Sequence, residues 1–152
     1  METHFYHVDL TWTSDRKGVV SSPELNVIKD STLEVATPPE FSGGIPGIWS
    51  PEHLFVASVN SCYMTTFLAI AENSKLEFSR FNCSALGKLE VIENRYQISE
   101  ITLKPSLLLD NENQLEKAQR ILEKSEKACL ISNSIKSKII LEPEVLITAL
   151  HN

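Results

Sequence analysis

The sequence predicts an α+β fold in a single domain, 1–152, on three observations. Strand-like runs and turns alternate through residues 3–37, a long apolar helix follows, and a strand pair then precedes an amphipathic helix and a last strand. A chain of 152 residues can bury an ordinary core without disulfides or metal. Hydrophobic residues at 42% and charged residues at 22% are typical of globular proteins. The net charge of −6, with no basic patch, argues against nucleic acid or an anionic membrane as partner.

Taken in order, "HFYHVDLTW" reads as a strand, "SDRKG" as a turn, and "LNVIKD" and "TLEVATP" as two further strands. Residues 38–50 hold three of the seven prolines and three of the five glycines, which marks a loop of unusual path. Ser50 is a good helix N-cap, and Pro51 suits the first helical position, where its missing N–H costs nothing. Glu52 then stands in the first turn, where the helix dipole favours negative charge. With no breaker before about Asn73, this helix runs about six turns.

From Phe81 the apolar residues Phe81, Cys83, Ala85, Leu89 and Val91 point one way, and Arg80, Asn82, Ser84, Lys88 and Glu90 the other. "IENRYQ" makes a turn, and Ile101, Leu103, Leu107 and Leu109 continue on an antiparallel partner. A helix over 111–130 places Leu115, Ala118, Leu122, Ser125 and Cys129 on one seam. "KSKIILEPEV" supplies the last strand. No stretch reads as a signal peptide, and polar residues interrupt the apolar run in 54–71, so a cytoplasmic protein without a membrane span is expected.

Three cysteines without a CxxC pair make neither a disulfide framework nor a zinc site. Cys83, on an apolar strand face, reads as core. Cys129 and Cys62, taken singly, read either as core or as reactive thiols. Cys62 shares a mixed helix face with Phe55, Val59 and several hydroxyl groups; it lies too far from the helix start for the dipole to help it ionise. A cation is required, and in the first half of the chain Arg16, Lys17 and Lys29 are available. His4, His7, His53 and His151 have no metal spacing, and no metal site is expected.

The run "TPPEFSGG…WSPEHLFVASVNSCYMTTF" resembles the signature of the OsmC/Ohr family, the osmotically inducible and organic-hydroperoxide-resistance proteins. "EKACLISNSI" resembles that family's second cysteine motif, and "DRKGVVSS" its early arginine turn. The match spans nearly the whole chain in order. Two departures stand out: residue 130 is Leu where the hydroperoxide-resistance members usually have Pro, and the turn lacks the glycine pair that often precedes the arginine.

The resemblance implies antiparallel sheets wrapped around two long central helices in an intertwined homodimer. It implies a thiol-dependent peroxidase for organic (alkyl or fatty-acyl) hydroperoxides. Cys62 would be the attacking thiol, Cys129 the resolving thiol, Arg16 the active-site arginine and Glu52 its carboxylate partner. Apolar walls from Phe55, Val59, Ile45, Ile48 and Trp49 would suit an alkyl chain. No bound cofactor is implied; an external dithiol, by resemblance a lipoyl group, would restore the enzyme. Glu52 and Cys62, ten residues apart, are separated by about 15 Å along one helix, so Glu52 could share a pocket with Cys62 only from a second chain. Two other readings compete: a hot-dog-type thioesterase using Glu72 or Glu52 as base, and a non-catalytic small-molecule-binding dimer.

Overall fold

A computed structural model describes residues 1–25 and 31–148 of the chain. Two compact units are present, Met1–Leu54 and Phe55–Asn152. In the first, β1 (Asp9–Ser14), β2 (Lys17–Ser21) and β3 (Leu33–Ala36) form an antiparallel sheet in that order. The strand expected over residues 4–12 begins only at Asp9, and the turn after it is tighter than the sequence suggested. Asp15 takes φ 46°, so Lys17 and Gly18 already belong to β2, a strand the sequence reading missed. Glycine is a poor strand former and hid it. Apart from Leu25, which closes a 3₁₀ turn begun at Pro23, the strand expected over 25–30 lies outside the described residues.

The loop 38–50 returns to the sheet through Ile45 N–H to Thr37 O at 2.9 Å and Ala36 N–H to Trp49 O at 2.9 Å. It delivers the buried Ser50 to the start of helix α1 (Pro51–Asn73). Ser50 caps the helix as expected: its Oγ accepts from His53 N–H at 3.1 Å, and its carbonyl accepts from Leu54 N–H at 3.0 Å.

In the second unit β4 (Arg80–Ile92) and β5 (Arg95–Leu109) make the expected antiparallel hairpin. Its turn is only Glu93 and Asn94, both left-handed with φ 50° and 63°. The alternation read from the sequence holds from Arg80 to Gly87 and then inverts. Lys88 pairs with Glu100 but Leu89 with Ile98, so Ser99 is an extra residue in β5. A one-residue bulge exchanges the two faces, and Leu89 and Val91 end up exposed instead of inward.

Helix α2 (Leu115–Ala128) follows a 3₁₀ turn, Glu112–Gln114, and is shorter at both ends than expected. β6 (Lys138–Leu141) and β7 (Glu144–Ile147) both run parallel to β5, making the sheet mixed. Glu100 pairs with Lys138 and Ser106 with Glu144 at one constant offset, so the two are a single edge strand. Pro143, which has no N–H to give, interrupts it.

The core of this unit joins Val59, Tyr63, Phe67 and Ala71 of α1 to Ile101, Leu103, Leu107 and Leu109 of β5 and Ala118, Ile121 and Leu122 of α2. Phe67 stacks on Phe81 with centroids 4.6 Å apart, and Tyr63 donates to Leu122 O at 2.9 Å. Gly87 allows α1 to approach β4, because a Cβ there would lie 2.5 Å from Val56 Cγ2. Asn60 Nδ2 ties the same pair of elements by donating to Cys83 O at 3.0 Å. Only one side of α1 is covered in this way. By length and composition the helix could cross a membrane (mean hydropathy 1.6), with 22% of that window buried; Met64 and Leu68 lie exposed.

Candidate active site

Cys62 occupies the middle of α1 and is partly buried. Thr66, one turn on, places its Oγ1 3.9 Å from the Cys62 sulfur. What completes its surroundings is the chain that leaves α2. Cys129 is the C-cap of that helix and breaks from it at φ −65°, ψ 115°, with its N–H held by Glu126 O. The next residues form a tight turn: Asn133 N–H donates to Cys129 O at 3.1 Å and Ser134 N–H to Ile131 O at 3.0 Å. Two side chains fasten it. Asn133 Nδ2 donates to Lys127 O at 3.1 Å, and Ser134 Oγ to Leu130 O at 2.8 Å. The polar run "SNS" after Cys129 thus caps the end of α2 and fixes the course of the turn.

This turn brings Cys129 near enough to Cys62 for the ionisation of each thiol to depend on the other. The main chain at Ile131 and Leu130 also favours the Cys62 anion. Burial works against a Cys62 anion, yet Ile131 N–H, the Cys129 thiol, Thr66 Oγ1 and Leu130 N–H together outweigh it. Cys62 is therefore more acidic than an ordinary thiol.

Cys129 goes the opposite way. Burial raises its pKa, the hydroxyl and N–H of Ser132 pull it back in part, and the neighbouring Cys62 raises it further by hydrogen bond and charge. Ser132 Oγ is buried and makes no hydrogen bond of regular geometry among the described residues. When the pair loses one proton, Cys62 becomes the anion and Cys129 the donor. Cys83, pushed up to about 11 by burial, stays a thiol. The sequence reading sought a cation for Cys62 and missed these main-chain donors, which no side-chain pattern announces.

Arg16 and Glu52 belong to the first unit. Arg16 is exposed at the β1–β2 turn, where its main-chain carbonyl is tied to the loop by accepting from Thr37 N–H at 3.1 Å. Its side chain lies across Gly43, where a Cβ would come within 3.2 Å of Nε; Gly43 itself takes φ +76°. Among the described residues Arg16 and Glu52 form no ion pair. Glu52 Oε2 is buried without a hydrogen-bond partner among them. Ile48 and Trp49 line an open cleft of about 340 Å³ with Gly47 and His53. Val59 is fully buried in the core, and Phe55 packs half-buried against it, so Val59 serves packing. Glu72 is exposed near the end of α1. Among the described residues no group of three or more His, Cys, Asp or Glu side chains is arranged to hold a metal.

The family model described as OsmC-like protein matches residues 44–144. YmaD of Bacillus subtilis (strain 168), an uncharacterised protein, is 24% identical over 147 residues, covering 95% of each chain. An OsmC-like protein of unknown function from Vibrio cholerae has the same fold, with a TM-score of 0.81 at 18% identity over 93% of this chain and 99% of that one. An organic hydroperoxide resistance protein from Elizabethkingia anophelis matches with a TM-score of 0.72 at 25% identity, over 97% of this chain and 100% of that one.

Proposed function

The chain belongs to the OsmC-like protein family, and from that premise we propose that it is a thiol-dependent peroxidase for organic hydroperoxides. One feature carries the reading: Cys62, more acidic than an ordinary thiol, lies close enough to a second thiol, Cys129, that the two titrate together, with the pKa of Cys129 raised. The hydroperoxide-resistance name of the Elizabethkingia relative supports the substrate class.

In this reaction the Cys62 thiolate attacks the terminal peroxide oxygen. The O–O bond breaks, an S–O bond forms, and the alkoxide leaves as alcohol after taking one proton. Cys62 is then a sulfenic acid. The Cys129 sulfur attacks it, water leaves, and a Cys62–Cys129 disulfide remains. An external dithiol of lipoyl type returns both thiols by exchange and is itself oxidised to a disulfide. Arg16 is assigned the pairing of the thiolate and the binding of the peroxide oxygens, since its planar fork fits two acceptors. Glu52, contributed by a second copy of the chain, is assigned the orienting of that guanidinium. Ile48, Trp49 and Phe55 would receive the alkyl part. Such thiol chemistry requires a reducing compartment, which favours the cytoplasm.

The second copy has a physical motive. Met64 and Leu68 are exposed along one side of a helix of mean hydropathy 1.6, and a like surface would cover them. Light scattering at micromolar concentration should give the mass of a dimer. Leu68→Asp should shift it toward monomer, and a wild-type chain that stays monomeric would remove Glu52 from the scheme.

The redox pair has its own test. After one equivalent of cumene hydroperoxide, peptide mass spectrometry should find an intrachain Cys62–Cys129 bridge with Cys83 still free. Finding only bridges between two Cys62 residues, or Cys62 sulfinic acid, would remove Cys129 from the resolving role. The thioesterase and inert-binder readings lack a comparable observation, because neither uses the closeness of the two sulfurs.

A further inference from the structure

The sheet of the first unit has a hollow beside Arg16. Residues directly opposite one another in neighbouring antiparallel strands point to the same face. Trp12 pairs with Gly18 and Gly18 with Val35, so these three form one row across β1, β2 and β3. Gly18 has no side chain, and a Cβ there would lie 2.7 Å from Thr11 O. The middle of the row is therefore empty. The result is a cleft of about 240 Å³ lined by Trp12, Leu10, Val35 and Pro51, with Arg16 on its wall. We propose that this cleft receives the organic group of the hydroperoxide, a phenyl or a short branched alkyl, while Arg16 takes the oxygens. The proposal rests on the peroxidase reading and deepens it. It gives the substrate a wall that adjoins the guanidinium itself, whereas Ile48 and Trp49 line a different cleft.

Trp12 is 72% exposed, yet its indole is fixed, because Nε1–H donates to Asp15 O at 3.0 Å. Leu10, two residues back on the same face, is 67% exposed. An apolar group laid over both side chains removes them from water, and a ring there also gains contact with the indole. The two cations of the cleft differ in what answers their charge. Lys17 Nζ lies 3.7 Å from Glu34 Oε2, whereas no carboxylate among the described residues pairs with Arg16. The stem of Arg16 lies against Gly43, whose missing side chain leaves room for it. An unpaired guanidinium at the side of an apolar cleft suits a ligand with an apolar body and acceptor oxygens. Volume sets the size of that body. A cavity of about 150 Å³ holds benzene, so this cleft admits a phenyl ring with a few more carbons. A long acyl chain exceeds it.

Cumyl alcohol, which cumene hydroperoxide leaves behind, probes the cleft without any turnover. In proton–nitrogen correlation spectra of the full chain the two indole N–H signals belong to Trp12 and Trp49, and Trp49→Phe assigns them. Adding the alcohol should shift the Trp12 signal saturably. A shift confined to Trp49, or no saturable shift at all, overturns the cleft. Kinetics give a second reading. Trp12→Ala should lower kcat/KM for cumene hydroperoxide relative to hydrogen peroxide roughly five- to tenfold, through KM more than kcat, as expected for losing one aromatic contact to the organic group. An unchanged ratio in a folded Trp12→Ala chain overturns the cleft equally. Should that chain fail to fold, the wild-type titration decides by itself. A chain that consumes no hydroperoxide but binds cumyl alcohol at Trp12 keeps the cleft and loses the peroxidase reading.

Discussion

Cys62→Ser should reduce consumption of cumene hydroperoxide, with dihydrolipoamide as reductant, to the uncatalysed rate. The expected fall in kcat/KM is at least about a thousandfold, because a hydroxyl at neutral pH offers no anion to attack the peroxide. Cys83→Ser should leave turnover close to wild type, since a thiol pushed up to about 11 is protonated throughout the working range. The pH profile gives a second reading. Only the Cys62 anion attacks, and its pKa lies below that of an ordinary thiol. The rate should therefore rise with pH, level off before ordinary thiols have ionised, and decline as pH drops through the Cys62 pKa. Turnover surviving in Cys62→Ser would end the peroxidase reading.

Phe67→Ala should be the most damaging single change to stability. Phe67 is fully buried, stacks on Phe81 at 4.6 Å and meets Phe78 edge-on at 5.4 Å. Deleting the ring removes burial, aromatic contacts and packing between α1 and the sheet, and leaves a cavity. A loss of about 3–5 kcal/mol is expected, which for a chain of this size lowers Tm by roughly 10 °C. Lys124→Ala, on the exposed side of α2, should change stability by less than about 0.5 kcal/mol. Urea denaturation of the three chains decides it; equal midpoints for Phe67→Ala and wild type would mean that α1 does not pack on the sheet as described.

Much of the frame was legible before any coordinates. Ser50 and Pro51 announced the start of α1, because capping depends on neighbouring residues only. The inward residues of β5 were read correctly from their alternation, and Ile101, Leu103, Leu107 and Leu109 are fully buried. The failures share a cause. β2 was lost because Gly18 lowers strand propensity, while pairing with β1 and β3 overrides it. The inward facing of Leu89 and Val91 failed because one extra residue, Ser99, sits in the opposite strand and reverses the phase.

The sequence by itself determined the parts: which residues can cap, alternate, pack or act as nucleophiles, and which sulfur sits mid-helix. These follow from local stereochemistry and side-chain identity. Tertiary structure alone decided which of three identical thiols is acidic. Ionisation depends on hydrogen bonds and burial that act over a few ångströms in space, and the donors at Leu130 and Ile131 lie far from Cys62 along the chain.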